Sequence, residues 1–487
     1  MAVSEVPGEQ AKMSSEKADS GSRSKDRAGQ RIALTAGILA SFLTPFLVSS
    51  VNVALPVIGN EFSLNAATLG WIATSYLLAA AMILMPAGKL ADILGRKKLY
   101  LIGLGLFSGA SFLCALAASS IALIFFRVFQ GFGAGVIFAT GLAIVTSVFP
   151  VEKRGMALGI VAGATYLGLS LGPVVGGLLT HYLGWKSIFW STAPVGLAAF
   201  ALVLLGLKGE WADARGEPFD LAGSIILAIS LPAVIYGSSI LPSLRGILLL
   251  ATGLLGIVGF FLLEARVASP IFPVTLLRNN RTFAFSSLAA LINYSSTFAV
   301  TFLLSLYLQH IQGLQPQSAG TVLVAQPIVM AAVSPLAGRL SDRIEVRTLA
   351  SIGMALVALG LSLLAFLDKQ TRLPFVVIAL IVLGLGYGLF SSPNMNAIMS
   401  SVDTHLYGVA SATVGTVRLI GQMLSMSVAV LIFTLIIGQV QINTAVYEQL
   451  LKSIRIAFSV FALLCFGGIF PSMVRGKLHS AREHQEL

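Results

Sequence analysis

Four sets of residues have types and spacings that could do chemistry or mechanical work. The first is Gly88-Lys89-Leu90-Ala91-Asp92-Ile93-Leu94-Gly95-Arg96-Lys97-Lys98. An acid and a basic cluster on a tight loop can form ion pairs that close one side of a helical assembly and break when it opens. The small residues let helix ends approach closely. A plain positively charged anchor would need the bases but neither the acid nor both glycines. The second set is Arg127-Val128-Phe129-Gln130-Gly131-Phe132-Gly133-Ala134-Gly135. Arg127 and Gln130, three apart, share a helix face. An arginine at mid-membrane costs about 2.5–3.5 kcal/mol on insertion scales, so it should face a cavity or a partner; snorkelling to the interface is the alternative. The third set is Gly159, Gly168, Gly172, Pro173, Gly176 and Gly177. Glycines let backbones touch and the proline bends its helix, which suits a helix that rocks against its neighbours. The fourth is a scatter of polar groups in apolar surroundings: Asn52, Tyr76, Asn293, Gln326, Asn394, Asn396, Arg418 and Gln422. They are candidates for a substrate cavity. For the neutral ones, interhelical hydrogen bonding worth about 0.6 kcal/mol is the competing reading.

The elements that must position these residues follow from composition. Of 487 residues, 56% are hydrophobic and only 10% charged. A soluble domain carries about 25% charged residues, so this is an all-α polytopic membrane protein. Fourteen apolar segments reach the roughly 20 residues that cross a bilayer: 32–58, 69–88, 99–118, 121–149, 155–180, 187–207, 220–241, 244–263, 282–310, 318–338, 349–367, 372–400, 405–437 and 454–474. Residues 1–31 are polar and aperiodic and read as a disordered tail. With the amino terminus in the cytoplasm, 23 of the 31 Lys and Arg residues fall on that side. The bias places both termini inside, in the cell membrane. It also accounts for the net charge of +11 without a nucleic-acid partner.

Gly88-Lys89-Leu90-Ala91-Asp92 recurs as Gly338-Arg339-Leu340-Ser341-Asp342, with Arg343 following, 250 positions later. The first and ninth segments start at the same offset. The chain therefore divides into a tail (1–31), six helices (32–207), two inserted helices with their loops (208–281), six more helices (282–474) and a second tail (475–487). Parallel halves of this kind are a transporter architecture with a site near the midplane between them.

In their order, these motifs resemble those of the major facilitator superfamily. The glycine series, the fourteen helices and the segment Trp185-Lys186-Ser187-Ile188-Phe189 with Pro194 are similar to its drug:proton antiporter branch. The resemblance covers about residues 32–474. It implies two six-helix bundles plus two inserted helices, and export of small amphiphilic compounds driven by a proton gradient with no cofactor. It also implies a latch at Asp92 and Arg96, proton coupling through Arg127 with Gln130 and Asp92, and a moving interface on the glycine helix. The sequence departs from the pattern at Ile93, where a base is usual, and at Glu345, where the repeat lacks its second glycine.

A larger departure is Leu47. The family usually carries an aspartate nine residues before the proline of Asn52-Val53-Ala54-Leu55-Pro56. All 20 acids lie in loops, tails or helix ends; Asp220, Glu264 and Asp403 sit at segment ends. Intramembrane carboxylates commonly carry protons and attract cationic drugs. Without one, coupling either runs through Asp92 and Arg127 near the cytoplasmic end or is weak or absent. Two intramembrane arginines with no acid beside them favour neutral, zwitterionic or anionic substrates. The inserted helices show no polar cluster. The five histidines form no ligand pair at helical spacing, so neither a metal nor an enzyme is expected. A channel does not explain the duplicated halves. A sensor that has lost transport stays open. No obligate protein partner is evident; the expected partners are the lipid bilayer and a small-molecule substrate.

Overall fold

The computed structural model describes the backbone of residues 7–475 apart from 273, 342, 403–406 and 439. Side chains are described from residue 29 to 475, with 151–155, 158, 159, 162, 407–409, 411 and 412 also outside the described set. Among the described residues, fourteen helices are long and apolar enough to cross a membrane, one for each expected segment.

The first six spans are α1 (Pro7–Glu61), α2 (Ala66–Leu94), α3 (Arg96–Ala115), α4 (Ser120–Val148), α5 (Val151–Leu183) and α6 (Lys186–Gly206). The inserted pair is α7 (Leu221–Ser239) and α8 (Leu244–Glu264), followed by the short α9 (Val274–Asn279). The second half comprises α10 (Arg281–Thr297), α11 (Ala299–Leu306), α12 (Pro316–Leu323), α13 (Ala325–Leu340), α14 (Val346–Leu364), α15 (Leu373–Ser400), α16 (Tyr407–Ile436) and α17 (Tyr447–Val474). Side chains of Asn65, Ser119, Asp220, Ser243 and Asn280 cap helix starts by accepting a backbone N–H three residues on, which satisfies donors the helix cannot.

Two spans are composite. The ninth is α10 with α11; at the break, the Ala299 N–H donates to Ser425 Oγ of α16 at 3.0 Å. The tenth is α12 with α13, interrupted just before Pro327, which has no N–H to give. The amino-terminal tail differs from expectation, since α1 is helical from Pro7 rather than disordered to residue 31. Glu9, Gln10, Lys12, Glu16 and Lys17 are good helix formers, and a helix that continues a membrane span has no nucleation cost of its own.

One core runs through both halves. The inserted pair packs on itself through Gly237, Gly246 and Gly253, with backbone close to backbone. It leans on α2 by the Trp71–Tyr236 contact, 5.6 Å between ring centres. The bundles meet at the end that carries Glu61 and Trp185. There Ser305 Oγ and Gln309 Nε2 of the second half donate to the Val53 carbonyl at 3.4 and 2.9 Å. The α5 and α12 backbones touch through Gly177 and Gly320. Trp185 Nε1 donates to Glu61 at 2.6 Å and ties α6 to α1.

Candidate functional site

The arginine of the second motif is buried, with 1% of its surface exposed, so it does not snorkel. Arg127 Nε donates to the Ile72 carbonyl at 3.1 Å and one terminal nitrogen to Gln130 Oε1 at 2.8 Å. Its guanidinium lies over the Tyr76 ring, 4.3 Å from the centroid. Gln130 in turn donates to Ser111 Oγ at 2.7 Å. The cation thus binds α2, α3 and α4 together through neutral partners. Gly131 and Gly135 let α4 press on the α2 backbone, and Gly133 does the same on α3.

Asp92 is not part of this cluster. It sits at the other end of α2, twenty residues beyond Ile72, about 30 Å along the helix. The expected location of both Asp92 and Arg127 near the cytoplasmic end is therefore corrected: α4 enters the bundle beside the start of α2, so the two groups stand toward opposite ends of that helix.

At the expected latch, Asp92 accepts from Arg96 at 2.7 Å, and Arg96 also pairs with Asp213 at 2.8 Å. Gly95 has φ +118°, a conformation that favours glycine, and a Cβ there would meet the Glu210 carboxylate. Gly88, expected to permit a close approach, has nothing within 4 Å of its would-be Cβ. The partners the sequence did not reveal come from the linker between α6 and α7. Glu210 accepts from the Lys97 and Lys98 backbone N–H groups at 2.8 and 3.1 Å. The Ala214 N–H donates to the Asp92 carbonyl at 2.9 Å. Glu217 pairs with Lys89, whose hydrogen bond holds the Glu217 carboxyl below its ordinary range. In the repeat, Gly338 faces Ser392 and Arg343 is exposed; Asp342 lies outside the described residues.

Along the glycine helix, Gly168, Gly172 and Gly176 face α1 of their own bundle. A Cβ would stand 2.5 Å from the Phe42 carbonyl, 2.6 Å from Ser49 Cβ and 2.6 Å from Ser50 Cα, respectively. Ser50 Oγ donates to the Gly172 carbonyl at 2.9 Å. Gly177 and the carbonyl of Pro173 face α12 across the bundles. Of the glycines described in this series, Gly177 is the one that faces the other bundle, next to the Pro173 carbonyl. Gly159 lies outside the residues whose side-chain surroundings are described.

The eight cavity candidates do not form one site. Arg418 and Gln422 are half-buried on α16, and Arg418 lies over the Phe138 ring of α4 at 4.6 Å. Gln326 is half-buried on α13. Tyr76 belongs to the Arg127 cluster. Asn52 and Asn293 are buried, with side-chain polar atoms that have no hydrogen-bond partner. Asn394 and Asn396 are corrected: they sit near the end of α15, where Asn394 accepts from Arg475 at 2.7 Å and Asn396 donates to Ser341 at 3.2 Å. Arg475, read as the start of a tail, is buried and also donates to the Val346 carbonyl and Ser472. Burial pushes its guanidinium down to about 10, so it stays charged at neutral pH.

Sequence reasoning missed the aromatic residues around Arg418. Tyr166 of α5 reaches across to Ser391 and Ser334 of the other half and lies within the electrostatic reach of Tyr294 and Arg418. Tyr294 and Tyr387 pack edge to face at 6.0 Å. These tyrosines and Phe138 are half-buried. They surround one cation between the bundles. Such a wall can stack an aromatic ring and bind an acceptor or anionic group.

The family model of the Major Facilitator Superfamily matches residues 37–426. The chain belongs to the major facilitator superfamily. It is 32% identical over 403 residues to "Multidrug resistance protein Stp" of Mycobacterium tuberculosis (strain CDC 1551 / Oshkosh), covering 82% of this chain and 74% of that protein. It is 30% identical to "Riboflavin transporter RibZ" of Clostridioides difficile (strain 630), covering 77% and 82%. It is 31% identical to "Multidrug transporter protein MdtP" of Bacillus subtilis (strain 168), covering 80% and 73%. The crystal structure of a bacterial homolog to the human lysosomal transporter Spinster, inward-facing and unoccupied, shares the fold. The TM-score is 0.66 at 17% identity, covering 92% of this chain and 96% of that one. This superfamily member is thus a multi-pass transporter of the drug-efflux type. The two bundles and their interface are the parts alternating access requires.

Proposed function

We propose that the chain is a secondary active transporter that exports small amphiphilic compounds from the cytoplasm by alternating access and proton antiport. The observation that carries this reading is the half-buried ring of Phe138, Tyr166, Tyr294 and Tyr387 around Arg418, shared between the bundles. A cation with no acid beside it among the described residues favours neutral, zwitterionic or anionic molecules with a flat apolar part. The relatives named for multidrug resistance support export. The relative named for riboflavin leaves room for a metabolite as cargo. The excess of bases on one side supports a cytoplasmic location for the latch and both termini. In this reading the end sealed at Val53, Gly177 and Gly320 faces outward.

A resistance and efflux screen across charged and neutral compounds tests the substrate reading. Arg418→Gln is expected to reduce export of anionic and zwitterionic compounds by about tenfold, the scale of one lost charge-assisted contact, and to spare cationic dyes. Strong export of quaternary ammonium dyes, unchanged in Arg418→Gln and Arg127→Gln, sinks it.

A further inference from the structure

The inserted helices contain a pair of acids that meet in the fold although 44 positions separate them. Asp220 caps the start of α7 and Glu264 ends α8; they are 8% and 2% exposed. Each uses one carboxyl oxygen for a backbone donor. Asp220 Oδ1 accepts the Gly223 N–H at 2.9 Å, and Glu264 Oε2 accepts the Phe272 N–H at 2.9 Å. The remaining two oxygens, Asp220 Oδ2 and Glu264 Oε1, are buried without a partner. Both lie against the open face of Gly223, where an added Cβ would strike them together. They are therefore within about 5 Å of each other, inside the range at which one carboxylate opposes ionisation of another.

Two acceptor oxygens facing each other lack one thing, a donor. We infer that Asp220 and Glu264 form a proton-binding site, in which one proton sits between Oδ2 and Oε1 and makes the missing hydrogen bond. A cation does not fit as well. The other two oxygens are already held by N–H groups, and no set of three acidic, His or Cys ligands occurs among the described residues. The charged group acting on Glu264 is Asp220. On the surrounding elements, Lys89 is taken by Glu217, and Asp92 and Asp213 by Arg96. Lys208, Glu210, Arg215 and Arg266 are exposed, and Arg418 of α16 lies over Phe138. The site closes the base of the inserted pair. It stands directly after the linker whose Glu210, Asp213 and Glu217 grip the expected latch, so losing the proton sets two like charges against each other where that linker ends.

The test is infrared difference spectroscopy of the full chain in lipid, stepped from about pH 5 to about pH 9, beyond the range in which ordinary carboxyls ionise. The wild type is expected to keep a protonated-carboxyl carbonyl band above pH 6, absent from both Glu264→Gln and Asp220→Asn. Those amides keep the shape of a protonated acid and supply the missing donor. The melting temperature of Glu264→Gln should therefore equal that of the wild type at low pH and exceed it increasingly as pH rises. That sign follows because the folded wild type holds a proton that the unfolded chain releases. Loss of the wild-type band by pH 6 overturns the proposal, whatever the variants do. Persistence of the band in both variants, or its removal by sodium at constant pH, does so too. The outcome is independent of whether transport is proton-driven.

Discussion

Arg127 is a buried cation whose described contacts are all neutral: a carbonyl, an amide and a ring. Such a group is costly to keep in a membrane and is retained where its geometry matters. The planar fork is what lets one residue reach Ile72, Gln130 and the Tyr76 face at once, and lysine cannot reproduce that. Arg127→Lys is accordingly expected to lower transport by about tenfold or more while the protein stays folded; flux in vesicles together with melting temperature checks this. Unchanged flux would reduce Arg127 to packing. Residue identity was readable from the sequence at this point, because an arginine in an apolar run with a glutamine three positions on limits the choices. Arg475 was not, since it lies one residue beyond an apolar run and only the tertiary fold closes Asn394, Val346 and Ser472 around it. The tyrosines around Arg418 were hidden for a similar reason. An aromatic in a membrane helix is ordinary, and only the meeting of α5, α10, α15 and α16 gives these a shared position.

At the scale of elements, periodicity and length were enough to place every span, because a bilayer demands about 20 apolar residues and satisfied backbone groups. What they could not supply was the role of loops. The linker of residues 207–220 carries none of the motifs, yet it contributes three acids to the expected latch. This makes the two latch glycines unequal. Gly95→Ala is expected to lower stability by about 1–2 kcal/mol through its positive φ and the Glu210 contact, whereas Gly88→Ala should fall within about 0.5 kcal/mol of wild type. Thermal melts of the two variants decide it, and equal losses would contradict the geometry. On α5, Gly172 and Gly176 bind within the bundle and Gly177 binds across it. Gly177→Val should therefore leave the bundles folded and deplete the state sealed at α12, read as increased labelling of a cysteine placed at Gln317. Wholesale unfolding would instead make Gly177 a packing residue like its neighbours.

For the whole molecule, the duplicated motif, 250 residues apart, anticipated two halves, and the structure supplies their contact: a seal at the Val53 end and an aromatic wall around Arg418 at mid-depth. With Asp92 and Arg127 at opposite ends of α2, coupling cannot pass as a direct proton hop between them. In the proposed antiport, coupling acts instead through the relative positions of the bundles. The measurement that bears most directly on this account is uptake of a fluorescent amphiphile into inverted membrane vesicles under an imposed pH gradient. With an anionic or zwitterionic amphiphile, saturable uptake that rises several-fold when the interior is acidified, collapses with a protonophore, and falls about tenfold in Arg418→Gln is the predicted result. Uptake that ignores the gradient, or that does not saturate, would contradict it.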